Sequence, residues 1–131
     1  GSMGASVSGT KFWGMRNVPT INGSFEGELE PILLEAATEN ILRRAFPDDV
    51  LLAHCPPQSV LAGASENQWG NPFLTAALAH EMAPRLVLAG HIHEAFGRAT
   101  VGRAYVVNSA CGWSLVDTST RKVLQIEGRG R

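Results

Sequence analysis

Cysteine is scarce in this 131-residue chain, with Cys55 and Cys111 its only two. Two thiols make no disulfide framework, so the fold is expected to rest on a hydrophobic core in a reducing, cytoplasmic setting. Neither sign of charge is in excess: 12 acidic residues face 11 basic ones, for a formal net charge of −1. Without a global field, nucleic acid is not indicated as a partner, and neither is an anionic lipid surface. No apolar run approaches the roughly 18 to 20 residues of a membrane-spanning helix, and the first residues carry no basic segment followed by an apolar one. The chain is therefore read as soluble, with no membrane partner. Aspartate is the remaining shortage, since Asp48, Asp49 and Asp117 are all there are.

A hydrophobic content of 44% with 18% charged residues suits one modest globular domain and excludes a disordered chain. Gly1-Ser2-Met3 reads as a remnant of expression cloning outside the fold, which leaves residues 4–131 as a single domain. Residues 4 to 10 are small and polar, and Lys11 to Met15 have strand character. From Glu28 to Phe46 the apolar residues Ile32, Leu33, Ala36, Ala37, Ile41, Leu42 and Ala45 recur at intervals of three and four, which predicts a helix with that face buried. Pro31 suits its first turn. Val50 to Ala53 is a short continuous apolar run, as in a strand covered on both faces, and it ends at His54. A second helix is predicted from Asn71 or Pro72 through Phe73, Leu74, Ala77, Leu78 and Met82, broken by Pro84. Leu86 to Ala89 repeats the buried-strand signature before Gly90-His91-Ile92-His93. Ala104 to Val107, Trp113 to Asp117 and Lys122 to Ile126 read as consecutive strands joined by short turns.

Three of the four histidines, His54, His91 and His93, follow buried-strand runs, where the carboxyl ends of parallel strands commonly form a site. The helix and strand between His54 and His91 make a crossover that brings neighbouring strand ends together. On an extended segment a His-x-His pair sends both imidazoles to one face. Gly90 is expected to supply the tight turn that aims the first of them. Neutral imidazole is the commonest metal ligand, so this grouping points to one metal or two adjacent ones. His80, in the second helix beside Glu81, reads as a surface residue. Cys55 and Cys111 offer a His/Cys zinc alternative, against the commoner role of buried cysteine as a small hydrophobe.

The segments Leu51-Leu52-Ala53-His54-Cys55-Pro56-Pro57, Leu86-Val87-Leu88-Ala89-Gly90-His91-Ile92-His93-Glu94 and Tyr105-Val106-Val107-Asn108 resemble, in order and spacing, the C-terminal half of calcineurin-like metallophosphoesterases. The resemblance spans roughly residues 11 to 120 and is closest to the branch of class III cyclic-nucleotide phosphodiesterases and metallophosphoesterase-domain proteins. It implies the C-terminal half of an α/β sandwich, a mixed sheet with about two helices. It implies a divalent-metal cofactor (Mn, Fe, Zn, Mg or Ni), with His54 and His91 on one ion and His93 on the other. It places Asn108 at the border of the site; from the residues themselves, Cys55 beside His54 would border it too, and Glu94, directly after His93, would support a ligand, act as a general acid or be a solvated surface residue. The implied activity is phosphodiester or phosphomonoester hydrolysis.

The family's N-terminal motifs, Asp-x-His, Gly-Asp with a second Asp, and Gly-Asn-His-Asp/Glu, have no counterpart here. Missing with them are the bridging carboxylate, the histidine that assists the leaving group and most ligands of the first metal. Little or no activity is therefore expected of this chain alone. Completion is expected from a partner chain that supplies those motifs or from a homo-oligomer that covers the sheet. The alternative is an inactive descendant acting as a metal-binding, regulatory or dimerisation module.

Overall fold

The computed structural model describes residues 2–19, 28–58, 70–91, 96–110 and 112–128. Their order is β1 (Ser2–Val7), β2 (Thr10–Met15), β3 (Val18–Pro19), β4 (Glu28–Leu29), α1 (Pro31–Leu42), β5 (Val50–Ala53), α2 (Pro72–Leu78), β6 (Leu86–Ala89), β7 (Gly97–Val101), β8 (Ala104–Asn108), β9 (Gly112–Asp117) and β10 (Lys122–Gly128). Six strands form one sheet in the order β1-β2-β5-β6-β8-β7, parallel through its centre and closed on each flank by an antiparallel strand. The expected mixed α/β architecture with two helices is what the described residues form.

The two apolar runs behave as their composition requires. Val50, Leu51, Leu86 and Val87 have no exposed surface, and β5 and β6 pair in parallel, as the crossover argument demands. Alternation then sorts the faces. Trp13, Met15, Leu51, Ala53, Val87 and Val106 form one cluster with Ile41 of α1 and Leu74 and Leu78 of α2. At the amino-terminal end of the sheet, Trp13 Nε1 donates to Asp49 Oδ2 at 2.9 Å, and the Phe46 backbone N–H donates to the same oxygen at 2.9 Å. A buried carboxylate thus joins β2 to the turn that launches β5.

Several expectations need correction. Ser2 and Met3 lie within the fold: they pair with Met15 and Gly14 in β1, which continues through the small polar residues to Val7. A two-residue turn with positive φ at Ser8 (49°) and Gly9 (84°) makes that hairpin, and the backbone ladder substitutes for the side-chain pattern the segment lacks. Helix α1 starts at Pro31, three residues later than the periodicity suggested, because Glu28–Leu29 is taken up as a strand beside β3. It buries Leu34, Thr38 and Ile41, while Ile32 is 81% and Leu33 55% exposed. Three successive apolar residues leave the helical phase ambiguous, and packing chose Leu34.

Helix α2 closes at Leu78, before Pro84 is reached. Met82 is exposed, and His80 lies in the following turn, its Nδ1 accepting from the Met82 N–H. Gly97–Val101 is an edge strand the sequence did not reveal. The last three strands are not consecutive neighbours: β8 joins the main sheet, while β9 and β10 form a separate hairpin. That hairpin is tied back by Ser109 Oγ donating to Ser114 Oγ at 2.8 Å and by an Arg121–Asp48 ion pair.

Candidate metal centre

Parallel pairing places four strand ends in line, with Met15 opposite Ala53, Ala53 opposite Ala89 and Ala89 opposite Asn108. The chain leaves this level under backbone control. His54 N–H donates to Met15 O at 2.8 Å, Gly90 N–H to His54 O at 3.1 Å, and Ser109 N–H to Ala89 O at 3.1 Å. One residue beyond Gly90 the backbone enters the left-handed region, and the ring centroids of His54 and His91 lie 4.6 Å apart with planes inclined at 49°.

That turn is made differently from the sequence expectation. Positive φ falls on His91 (67°) rather than on Gly90. A non-glycine residue in the left-handed region is a local cost, and such costs persist where surrounding bonds fix the chain. His91 is not in the extended conformation that the His-x-His reading assumed. His93 and Glu94 lie outside the described residues, as does Cys111, so the site here is built on His54 and His91.

Asn108 is fully buried at the end of β8, and its Oδ1 accepts from the Ala110 N–H at 2.9 Å. It shapes the turn that leaves the sheet. Cys55, directly after His54, is also fully buried. Burial pushes its thiol up to about 12, against an opposing hydrogen bond from the Asn71 backbone, and Sγ donates to Pro56 O at 3.5 Å. A protonated thiol turned to a carbonyl packs as a hydrophobe. In a Cys111→Ser background the folded protein is expected to resist the disulfide reagent DTNB at pH 8 and to react fully in urea. Rapid reaction without urea would show that the thiol is accessible.

Two imidazoles at this separation suit a borderline divalent ion as part of its donor set. They do not complete one: among the described residues no group of three His, Cys, Asp or Glu side chains is placed to hold a metal. On the sheet face opposite the helices, a depression of about 420 Å³ runs from Arg16 and His54 over Gly14, Leu52 and Leu88. Leu52 is 42% exposed although β5 is an interior strand. Parallel strands are ordinarily covered on both faces.

Sequence reasoning missed Gly70 and Asn71 as parts of this region. Asn71 N–H donates to Pro56 O at 2.9 Å, and Gln58 N–H donates to Asn71 O at 3.1 Å, so the turn after His54 is held by backbone bonds. The Asn-Pro pair that signals the start of α2 was the available clue.

No protein-family model matches the chain, and no curated protein sequence matches it. Solved structures do. One has a TM-score of 0.69 at 17% identity, matching 96% of this chain and 52% of its own. Another, TT1561 of Thermus thermophilus, has a TM-score of 0.55 at 18% identity, matching 92% of this chain and 54% of its own. The chain thus shares its fold with about half the length of each. Among the described residues no helix is long and apolar enough to cross a membrane.

Proposed function

We propose that this chain is the histidine-bearing part of a metal-dependent phosphoester hydrolase of the calcineurin-like metallophosphoesterase type, completed by polypeptide that supplies the carboxylates it lacks. The observation that carries the reading is the His54–His91 pair, two imidazoles with centroids 4.6 Å apart at the carboxyl ends of adjacent parallel strands. The motif resemblance supports it. So do the half-length match to solved structures and the depression over the part-exposed Leu52 and Leu88, where further polypeptide has room to pack.

In this reading His54 and His91 hold a divalent ion, with His93 as the third histidine of the set. A bound ion of this kind polarises a phosphoryl oxygen and lowers the pKa of water. This chain's residues hold the backbone that carries the imidazoles, with His54 N–H donating to Met15 O and Gly90 N–H to His54 O. Arg16, on the rim of the same depression as His54, supplies a positive charge toward a phosphate. Asn108 and Cys55 shape the border without joining the chemistry. The carboxylates that balance the metal charge and the histidine that assists the leaving group come from polypeptide other than this chain.

Removing one of two imidazoles is expected to weaken binding of Co²⁺, followed by its visible absorption, at least about tenfold in His91→Ala and similarly in His54→Ala. The chain alone is expected to turn over bis-p-nitrophenyl phosphate barely or not at all with Mn²⁺. Unchanged Co²⁺ binding in both variants would overturn the metal assignment. Robust hydrolysis by the chain alone, lost in His91→Ala, would overturn the need for external carboxylates. The part-exposed Leu52 on an interior strand also favours a second reading, a metal-binding or dimerisation module. A stable dimer that loses its association on Leu52→Glu, with no gain of activity from any added polypeptide, would establish that one.

A further inference from the structure

The loop that leaves His54 is held from a distance. Cys55 to Gln58 runs away from the imidazole pair, and its backbone meets the segment Gly70-Asn71 in a parallel bridge between Pro57 and Asn71. Asn71 contributes both its backbone groups: its N–H to Pro56 O at 2.9 Å and its carbonyl to the Gln58 N–H at 3.1 Å. Thr75 Oγ1 adds a bond to Gln58 O at 2.8 Å. Gly70 lets the strands approach this closely, because a Cβ there would stand 2.4 Å from Gln58 Cα and 2.8 Å from Pro57 C.

The Asn71 side chain fixes that backbone to both helices. Its Oδ1 accepts from the N–H groups of Phe73 (3.0 Å) and Leu74 (3.2 Å), capping α2. Its Nδ2 donates to Thr38 Oγ1 at 3.1 Å, and Thr38 in turn donates to Leu34 O at 2.7 Å within α1. Asn71 and Thr38 are both fully buried. A helix cap alone requires none of the Thr38 contact, the Gly70 approach or the Pro56 and Gln58 bonds. Together these connect both helices to the four residues that follow His54.

We infer that Gly70 and Asn71, anchored by Thr38, are positioning residues that hold the His54 imidazole against His91. The ladder fixes the His54 backbone on its amino side, and the clamp fixes the chain on its carboxyl side. The geometric part of this inference stands without a metal, and its consequence for metal affinity rests on the function proposed above.

The test has two arms. In metal-free protein, the nuclear Overhauser contact between the His54 and His91 ring protons is expected in the parent chain and lost or strongly reduced in Asn71→Ala, Gly70→Ala and Thr38→Val. Thr38→Val leaves the α2 cap intact, and Thr75→Val is the milder variant should the others fail to fold. Circular dichroism and the thermal midpoint report whether each is folded. With Co²⁺ as the probe, the dissociation constant of the folded variants is expected to rise about 10- to 100-fold, the usual range for groups that orient ligands. A lowered midpoint with the ring contact retained in Asn71→Ala and Thr38→Val would overturn the inference and leave a stabilising network only. Loss of the ring contact in a chain whose parent binds no Co²⁺ would support the clamp and sink the metal reading.

Discussion

Leu51→Ala is expected to destabilise the protein by about 2–5 kcal/mol. Leu51 is fully buried in β5, the strand between β2 and β6, and its side chain belongs to the cluster that α1 and α2 close. Removing three carbons there forfeits the transfer free energy and leaves a cavity whose walls are strands held in register on both sides. They have little freedom to collapse. Against the roughly 5–15 kcal/mol of a typical domain, the loss is a large share of the total. The neighbouring Leu52→Ala is the internal control, since Leu52 is 42% exposed and should cost under about 1 kcal/mol in this chain. Urea unfolding of the two variants, compared at equal slope, reads the difference directly. Equal losses would mean that the two faces are wrongly assigned.

Asp49→Ala is the second large effect expected, about 2–4 kcal/mol. The carboxylate accepts from Trp13 Nε1 and from the Phe46 N–H, and Asp49 is only 8% exposed. Hydrogen bonds to a charged acceptor contribute more than neutral ones, and truncation strands two donors in a part of the chain that water reaches poorly. Trp13→Phe removes one donor and leaves the other bond in place. In the double-mutant cycle the two changes should therefore couple by about 1 kcal/mol or more. Additive costs would show that the pin between β2 and the β5 turn contributes little.

How much of this was legible in the sequence depends on which force chose each element. The runs Val50 to Ala53 and Leu86 to Ala89 are apolar throughout, and strands covered by neighbours on each side require just that. Their parallel adjacency followed from the helix between them, and with it the meeting of His54 and His91. Where the deciding force was not hydrophobic periodicity, the reading slipped. β1 has no alternating pattern and is held by its ladder to β2. In α1 the run Ile32-Leu33-Leu34 fits several helical phases, and contact with the sheet selected Leu34 and Ile41. The left-handed turn was assigned to Gly90 on propensity, yet His91 adopts it where the Gly90 N–H is already engaged by His54 O. Asn71 was legible as a helix start, but the contact of Gly70 and Asn71 with the Pro56–Gln58 turn was not, because it is backbone bonding across a gap in sequence that leaves no side-chain periodicity.

The order of the sheet also governs how the molecule comes together. Its flanks are hairpins, β1 with β2 and β7 with β8, each needing only a short turn to close. Its middle joins Phe12 to Val50 and Val50 to Leu86, so each central pairing must close a long loop before any contact repays the lost chain entropy. The slow event in folding is therefore the registration of the central strands, and the imidazole pair comes into existence with it. A precursor with formed hairpins keeps His54 and His91 apart, whereas the finished sheet brings their rings to a centroid distance of 4.6 Å. Any ion that grips both side chains binds the completed register alone and draws the folding equilibrium toward it by mass action.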